Sequence, residues 1–210
     1  MTLKGDMTKN ERRIIDIAYN KGLTHISSCL NTLPILEDIY KVKEPEDDVV
    51  LANSHAALAL YVVLEAQGLA DAEKLADRMG THAERSLEDG ICVSGGSLGQ
   101  PETVAVGMAI ADRSKNVYLV TSDGACAEGS VWEALKIAAQ QKLENLRVSV
   151  VANGYSAYDR VDLEYLEHRL KTFYPVMVHR TNLFDWPDYL QGTDGHYHKL
   201  TDIEYRELTK

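Results

Sequence analysis

Cysteine is scarce in this 210-residue sequence: Cys29, Cys92 and Cys126 are widely spaced and form no CxxC pair. That excludes a disulfide framework or a thiolate zinc site and fits reduced intracellular thiols. Long apolar runs are also missing. The longest, over 56–64, is far too short to span a bilayer, and the N-terminus is polar and charged where a secretory signal needs an apolar stretch. Basic residues are in deficit, 22 Lys and Arg against 32 Asp and Glu, for a formal net charge of −10. A broad nucleic-acid-binding surface is thereby excluded, because phosphate backbones reward Lys and Arg. An anionic ligand would have to be held by local features such as a cation, histidines or helix N-termini. Internal repeats, low-complexity tracts and linkers are absent, so the expectation is one cytoplasmic domain over 1–210 with no membrane partner.

What is present reads as an α/β protein. With 45% hydrophobic and 26% charged residues, the composition is that of an ordinary globular domain. Apolar residues at helical spacing predict helices over 11–21, 30–40, 56–67, 73–78, 103–113, 128–141 and 163–171. Short apolar runs predict strands over 49–52, 116–121, 147–152 and 176–179. Residues 24–28 read as a polar break and 194–196 as a turn. The stretch 80–100, rich in Gly and Ser, reads as a loop long enough to be functional. Trp132, Leu135, Ile137 and Ala138 are candidate core positions of the helix over 128–141. Strand, helix, strand over 116–152 with short connections is a βαβ unit, so its strands should be parallel in a mostly parallel sheet flanked by helices.

Such a unit puts the carboxyl ends of both strands at one edge of the sheet, where ligands of open α/β folds collect. Asp123 and Asn153 then stand at neighbouring strand ends, thirty residues apart. A carboxylate, an amide oxygen and nearby carbonyls are the hard oxygen ligands that Mg²⁺ or Ca²⁺ prefers. Gly124 lets backbone approach a ligand closely, and the helix start beyond it can present N–H groups to phosphate oxygens. The pattern suits a metal-bridged diphosphate. Asp-Gly and Asn-Gly are also common turn formers, and spacing does not separate the two readings.

The motifs carry a family resemblance. Ser122-Asp123-Gly124, then Glu128-Gly129, Trp132-Glu133-Ala134 and Asn153 are similar to the thiamine-diphosphate motif of the transketolase family, GDG followed about thirty residues later by Asn. Thr24 to Leu30 resembles its GHxGssLS segment, and Asn53-Ser54-His55-Ala56 with Leu60-Tyr61 its kGHaapalY segment. His82 ahead of Gly90-Ile91, Gly96-Ser97-Leu98-Gly99-Gln100, and Asp194-Gly195-His196 follow in the family's order. Ser122 departs from the first Gly of GDG, Pro101 from the Gly after Leu-Gly-Gln, Val151 from an acidic residue, and Ala83 from the Pro after the histidine.

The resemblance implies roles. Asp123, Asn153 and the Tyr155 carbonyl would hold the metal. His55, His196 and the Gly124 backbone would contact the diphosphate, and Gly96 and Leu98 the aminopyrimidine. His25, His55 and His82 would line a channel for a sugar phosphate. Glu128 and Glu133 would join an acidic network at a subunit interface. In this family the carboxylate that activates the aminopyrimidine lies on a second domain. The expectation is therefore a diphosphate-binding subunit of a split enzyme, paired with a pyrimidine-binding subunit in an α₂β₂ assembly. The alternatives are a 2-oxoacid-decarboxylating subunit or a non-catalytic scaffolding homologue.

Overall fold

The four apolar runs become four strands: β1 (Asp48–Leu51), β2 (Val117–Ser122), β3 (Leu146–Ala152) and β4 (Val176–Arg180). They pair in chain order as one parallel sheet, with Leu51 opposite Val120, Ser122 opposite Val151 and Ala152 opposite Arg180. A computed structural model describes residues 7–156, 159–181 and 186–210; residues 1–6, part of the polar N-terminus noted above, lie outside them.

Helices α1 (Lys9–Lys21), α2 (Ile26–Val42), α3 (Ala57–Ala66) and α4 (Ala72–Met79) cover one face of the sheet. Their apolar stripes meet Val49, Leu51, Val120 and Val151. The other face, with Val50, Leu119, Val148 and Val150, packs against α5 (Gln100–Ala111), α6 (Gly129–Gln140) and α7 (Leu163–Phe173). Strands buried on both faces are nearly continuous in Val and Leu, as parallel sheets require. The chain closes with α8 (Gly192–Tyr197) and α9 (Asp202–Leu208), which return to the α1–α2 side. Trp186 Nε1 donates to Asn31 Oδ1 at 2.9 Å, pinning the segment before α8 onto α2.

Four local expectations are corrected. The expected break over 24–28 is largely helix: α2 begins at Ile26, with His25 as its left-handed N-cap (φ 60°), so Ser27 and Ser28 are helical. Helix α5 begins at Gln100 rather than 103, because Pro101 in the first turn lacks an N–H that would have no partner there anyway. The Asp194-Gly195-His196 turn lies inside α8. Gly195 packs against the Leu190 backbone so closely that a Cβ would sit 2.4 Å from its carbonyl carbon. Ile137 is 44% exposed on the outer face of α6, while Leu135 and Ala138 are core and Trp132 is half-buried at its edge. The loop over 80–100 keeps its irregular character up to Gly99, apart from one short turn at Leu87–Asp89. Among the described residues no helix is long and apolar enough to cross a membrane.

Candidate functional site

The carboxyl ends of β1, β2 and β3 open onto a cavity lined by residues from all three. His25, His55, Leu98, Asp123, Gly124, Asn153, Tyr155 and His196 all contribute to its wall. Positions spread over most of the chain thus converge at one sheet edge, where parallel α/β folds bind ligands.

Asp123, just past β2, is 3% exposed. Its Oδ2 accepts the backbone N–H groups of Asn153 at 3.0 Å and Gly154 at 2.7 Å, and its Oδ1 that of Gly124 at 3.0 Å. Burial raises its carboxyl to about 6, against the pull of those three N–H groups. The Asn153 side-chain oxygen accepts the Tyr155 N–H at 2.9 Å, an Asx turn that holds the loop after β3. A carboxylate, an amide oxygen and a backbone carbonyl thus lie within two adjoining turns, and Asp123 Oδ1 and Asn153 Oδ1 each accept one backbone N–H. This donor set fits a hard, oxygen-seeking cation. Among the described residues no group of three or more His, Cys, Asp or Glu side chains could hold a metal, so a thiolate or imidazole centre is not formed by them.

Three histidines gather above this edge. The His25 ring stacks on His196 at 5.7 Å between centroids and tilts against His55 at 5.3 Å, with Tyr197 edge-on at 5.4 Å. The His25 N–H donates to the His196 carbonyl at 2.8 Å, and its Nδ1 lies 2.9 Å from Thr24 Oγ1. His25 is one of few non-glycine residues here with positive φ, a conformation that persists where surrounding contacts enforce it. Burial, with repulsion among the rings, lowers His25 to about 4 and His55 to about 3. Burial lowers His196 as well. All three imidazoles are therefore neutral at pH 7 and can each donate one hydrogen bond and accept another.

His82 and Gly96 do not line the cavity; they meet each other at its rim. His82 is exposed, and a Cβ on Gly96 would lie 3.6 Å from the His82 ring. Glu128, the half-buried N-cap of α6, and the exposed Glu133 also lie outside the cavity wall. Of the departures from the family pattern, Ser122 lines the cavity and its Oγ accepts the Ala125 N–H at 3.2 Å, so its hydroxyl caps the turn that carries Gly124.

Sequence reasoning assigns no role to Ser28, Thr32 and Asn53, which also line the cavity. His25, Ser28 and Thr32 recur at i, i+3 and i+7, one face of a helix. The Asn53 amide nitrogen donates to Thr32 Oγ1 at 3.0 Å, while Ser28 Oγ and the Asn53 amide oxygen are buried without a hydrogen-bond partner. Buried polar groups are rarely left so, and two at a cavity wall mark where a polar ligand fits.

Comparison with known proteins places this arrangement. Residues 40–179 match the family described as "Transketolase, thiamine diphosphate binding domain". The chain belongs to the transketolase family. One of the subunits of apulose-4-phosphate transketolase from Phocaeicola vulgatus is 36% identical over 165 residues, 69% of this chain and 58% of that one. A 6-deoxy-6-sulfo-D-fructose transketolase subunit from a Clostridium species is 29% identical over 195 residues, 83% of this chain and 68% of that one. Human transketolase is 32% identical over 214 residues, 90% of this chain but 32% of its own length. The chain thus spans 58% and 68% of the two subunit relatives and about a third of the full-length enzyme. The fold superposes on transketolase from Leishmania mexicana with a TM-score of 0.66 at 21% identity, covering 82% of this chain and 35% of that one. This transketolase-family chain carries a thiamine-diphosphate-binding domain, and its parallel sheet is the family's.

Proposed function

We propose that this chain is the diphosphate-binding subunit of a split transketolase that moves a two-carbon ketol unit between sugar phosphates. The observation that carries the reading is the convergence of His25, His55 and His196 with Asp123, Asn153 and Tyr155 around one cavity. Asp123, Asn153 and the Tyr155 carbonyl would hold Mg²⁺ or Ca²⁺, which would supply positive charge for the diphosphate. His55, His196 and the Gly124 backbone would contact the diphosphate, with Gly96 and Leu98 against the aminopyrimidine. Thiamine diphosphate would supply, when bound, the carbanion chemistry that ketol transfer needs. The chain's part is to hold, orient and desolvate. His25 and His55, with His82 at the rim, would face the sugar hydroxyls, and the half-buried neutral imidazoles of His25 and His55 can each donate one hydrogen bond and accept another.

A partner completes the site in this reading. The cavity encloses about 60 Å³, against roughly 300–1,000 Å³ for small-molecule sites, as expected when one wall belongs to another surface. Both subunit relatives are named as parts of transketolases. The partner would bring the pyrimidine-binding domain with its activating carboxylate, meet Glu128 and Glu133, and assemble as α₂β₂. A cytoplasmic location is supported by the free thiols of Cys29, Cys92 and Cys126. The three-histidine cluster, suited to sugar hydroxyls, favours a transketolase over a 2-oxoacid-decarboxylating enzyme.

Calorimetric titration of thiamine diphosphate with Mg²⁺, into the chain alone and mixed with a partner encoded beside it, tests the reading. Cation-dependent binding that strengthens with the partner, followed by ketol transfer in the mixture, supports it. Absence of binding in a stable complex points instead to a non-catalytic scaffolding role, and ketol transfer by the purified chain alone sinks the split enzyme.

A further inference from the structure

The loop between α4 and α5 brings His82 and Gly96 to the cavity rim, yet it contains almost no regular structure. Its far end is secured by Ile91 in the core and by the Cys92 thiol on the Val49 carbonyl at 3.0 Å. Beyond Ser94, which accepts the Arg85 N–H at 2.8 Å, those anchors do not reach the end that carries His82.

That end is closed by three residues from two segments. Ser54, 1% exposed at the start of the turn after β1, accepts the Ala83 N–H on its Oγ at 2.9 Å. The carbonyl of Ala83, itself 2% exposed, accepts the Gly95 N–H at 2.9 Å. Gly95 then packs back on Ser54, so tightly that a Cβ there would lie 2.0 Å from the Ser54 Cβ and 2.3 Å from its Oγ. Each member of this ring has a candidate site residue as its chain neighbour: His55 follows Ser54, His82 precedes Ala83 and Gly96 follows Gly95. A hydrogen bond buried this way is exchanged with water only when the segment opens, so the ring fixes the three neighbours relative to one another.

We propose that Ser54 is a positioning residue that locks the 80–96 loop so that His82 and Gly96 stand beside His55 for substrate and cofactor. The roles of those three residues rest on the function proposed above; the lock itself does not. It predicts that loosening Ser54 disturbs how the sugar phosphate is held more than how fast the bound substrate reacts.

Two variants attack the ring from opposite sides. Ser54→Ala removes the acceptor and keeps the packing, whereas Gly95→Ala keeps the hydroxyl and forces the segments apart. Hydrogen exchange in the 80–96 segment of the isolated full chain should quicken about tenfold in both, the size expected for losing one net hydrogen bond, while exchange in β2 and β3 stays as in the parent. In the complex with the partner, Ser54→Ala should raise the KM for the donor sugar phosphate several-fold with kcat within about twofold, the pattern of lost binding contacts. Unchanged exchange over 80–96 in both variants overturns the lock. Quickened exchange with kcat and KM both unaltered overturns the positioning role. His82→Ala separates the two ideas: unchanged KM in that variant removes His82 from the substrate channel, whereas the exchange result still decides whether Ser54 holds the loop.

Discussion

Asp123 reaches from the end of β2 to the end of β3, where its carboxylate takes the N–H groups of Asn153 at 3.0 Å and Gly154 at 2.7 Å. One side chain thereby ties two neighbouring strand ends and, in the function proposed above, would be the main anionic ligand of the cation. Removing it should be felt twice. Asp123→Ala leaves buried N–H groups without acceptors, at roughly 1–3 kcal/mol, read as a lower urea midpoint. Asp123→Asn retains one acceptor oxygen and should recover part of that stability. Both variants should lose cation-dependent binding of thiamine diphosphate in calorimetry. Binding that survives in the Asn variant with unchanged Mg²⁺ dependence would remove Asp123 from the cation site.

Because burial raises the Asp123 carboxyl to about 6, protons and the proposed cation would compete for it within an ordinary pH range. Affinity for thiamine diphosphate with Mg²⁺ should be flat above about pH 6.5. Below pH 6 it should fall by about tenfold per unit for one competing proton. Isothermal titrations between pH 5 and 8 check this. A flat profile to pH 5 would mean that Asp123 stays ionised and that the three N–H groups outweigh its burial.

Much of this architecture is legible in the chain. The strands are readable because buried parallel strands are short apolar runs ended by polar turns, and the βαβ pattern alone places Asp123 and Asn153 at one edge. The start of α2 is not. His25 in a left-handed conformation, followed by Ser27 and Ser28, reads as a loop in one dimension, whereas in three dimensions His25 and Ser28 line a cavity and Ser27 is buried. For the same reason Ser28 and Asn53, though inside the matched motifs, are given no role and Thr32 escapes notice: their polarity makes sense only once the cavity is seen. Pro101 hides the start of α5 because its tolerance in a first helical turn is positional. His82 and Gly96 are suggested by motif alone, but the Ser54 contact with the loop that carries them is long-range and leaves no periodic trace.

The orphaned hydroxyl of Ser28 makes an opposed pair of predictions. Without a partner in the free chain, it is a buried polar group held at a loss of about 1 kcal/mol or more. Ser28→Ala should therefore leave the free chain as stable as the parent or more stable, with a rise of a few degrees in melting temperature. The same variant should bind thiamine diphosphate with Mg²⁺ several-fold more weakly. A drop in stability with unchanged affinity would show that Ser28 has a structural partner and no ligand role.

The histidine cluster sets a sign for stability against pH. Burial lowers His55 in the folded chain from 6.5 to about 3, so between those values the unfolded chain binds the proton and the folded chain does not. Stability contributed by the neutral ring is present above pH 6.5 and is lost progressively as pH falls toward 3. Asp123 runs the other way: its raised carboxyl takes up a proton in the folded chain first, so its contribution grows as pH falls from about 6 toward 3.8. The two partly offset in the parent, and the difference between parent and variant separates them. His55→Gln should gain on the parent by about 1–2 kcal/mol between pH 7 and pH 5, measured by urea unfolding at each pH. A gap between the two that is the same at both pH values would mean that His55 is solvated enough to titrate normally.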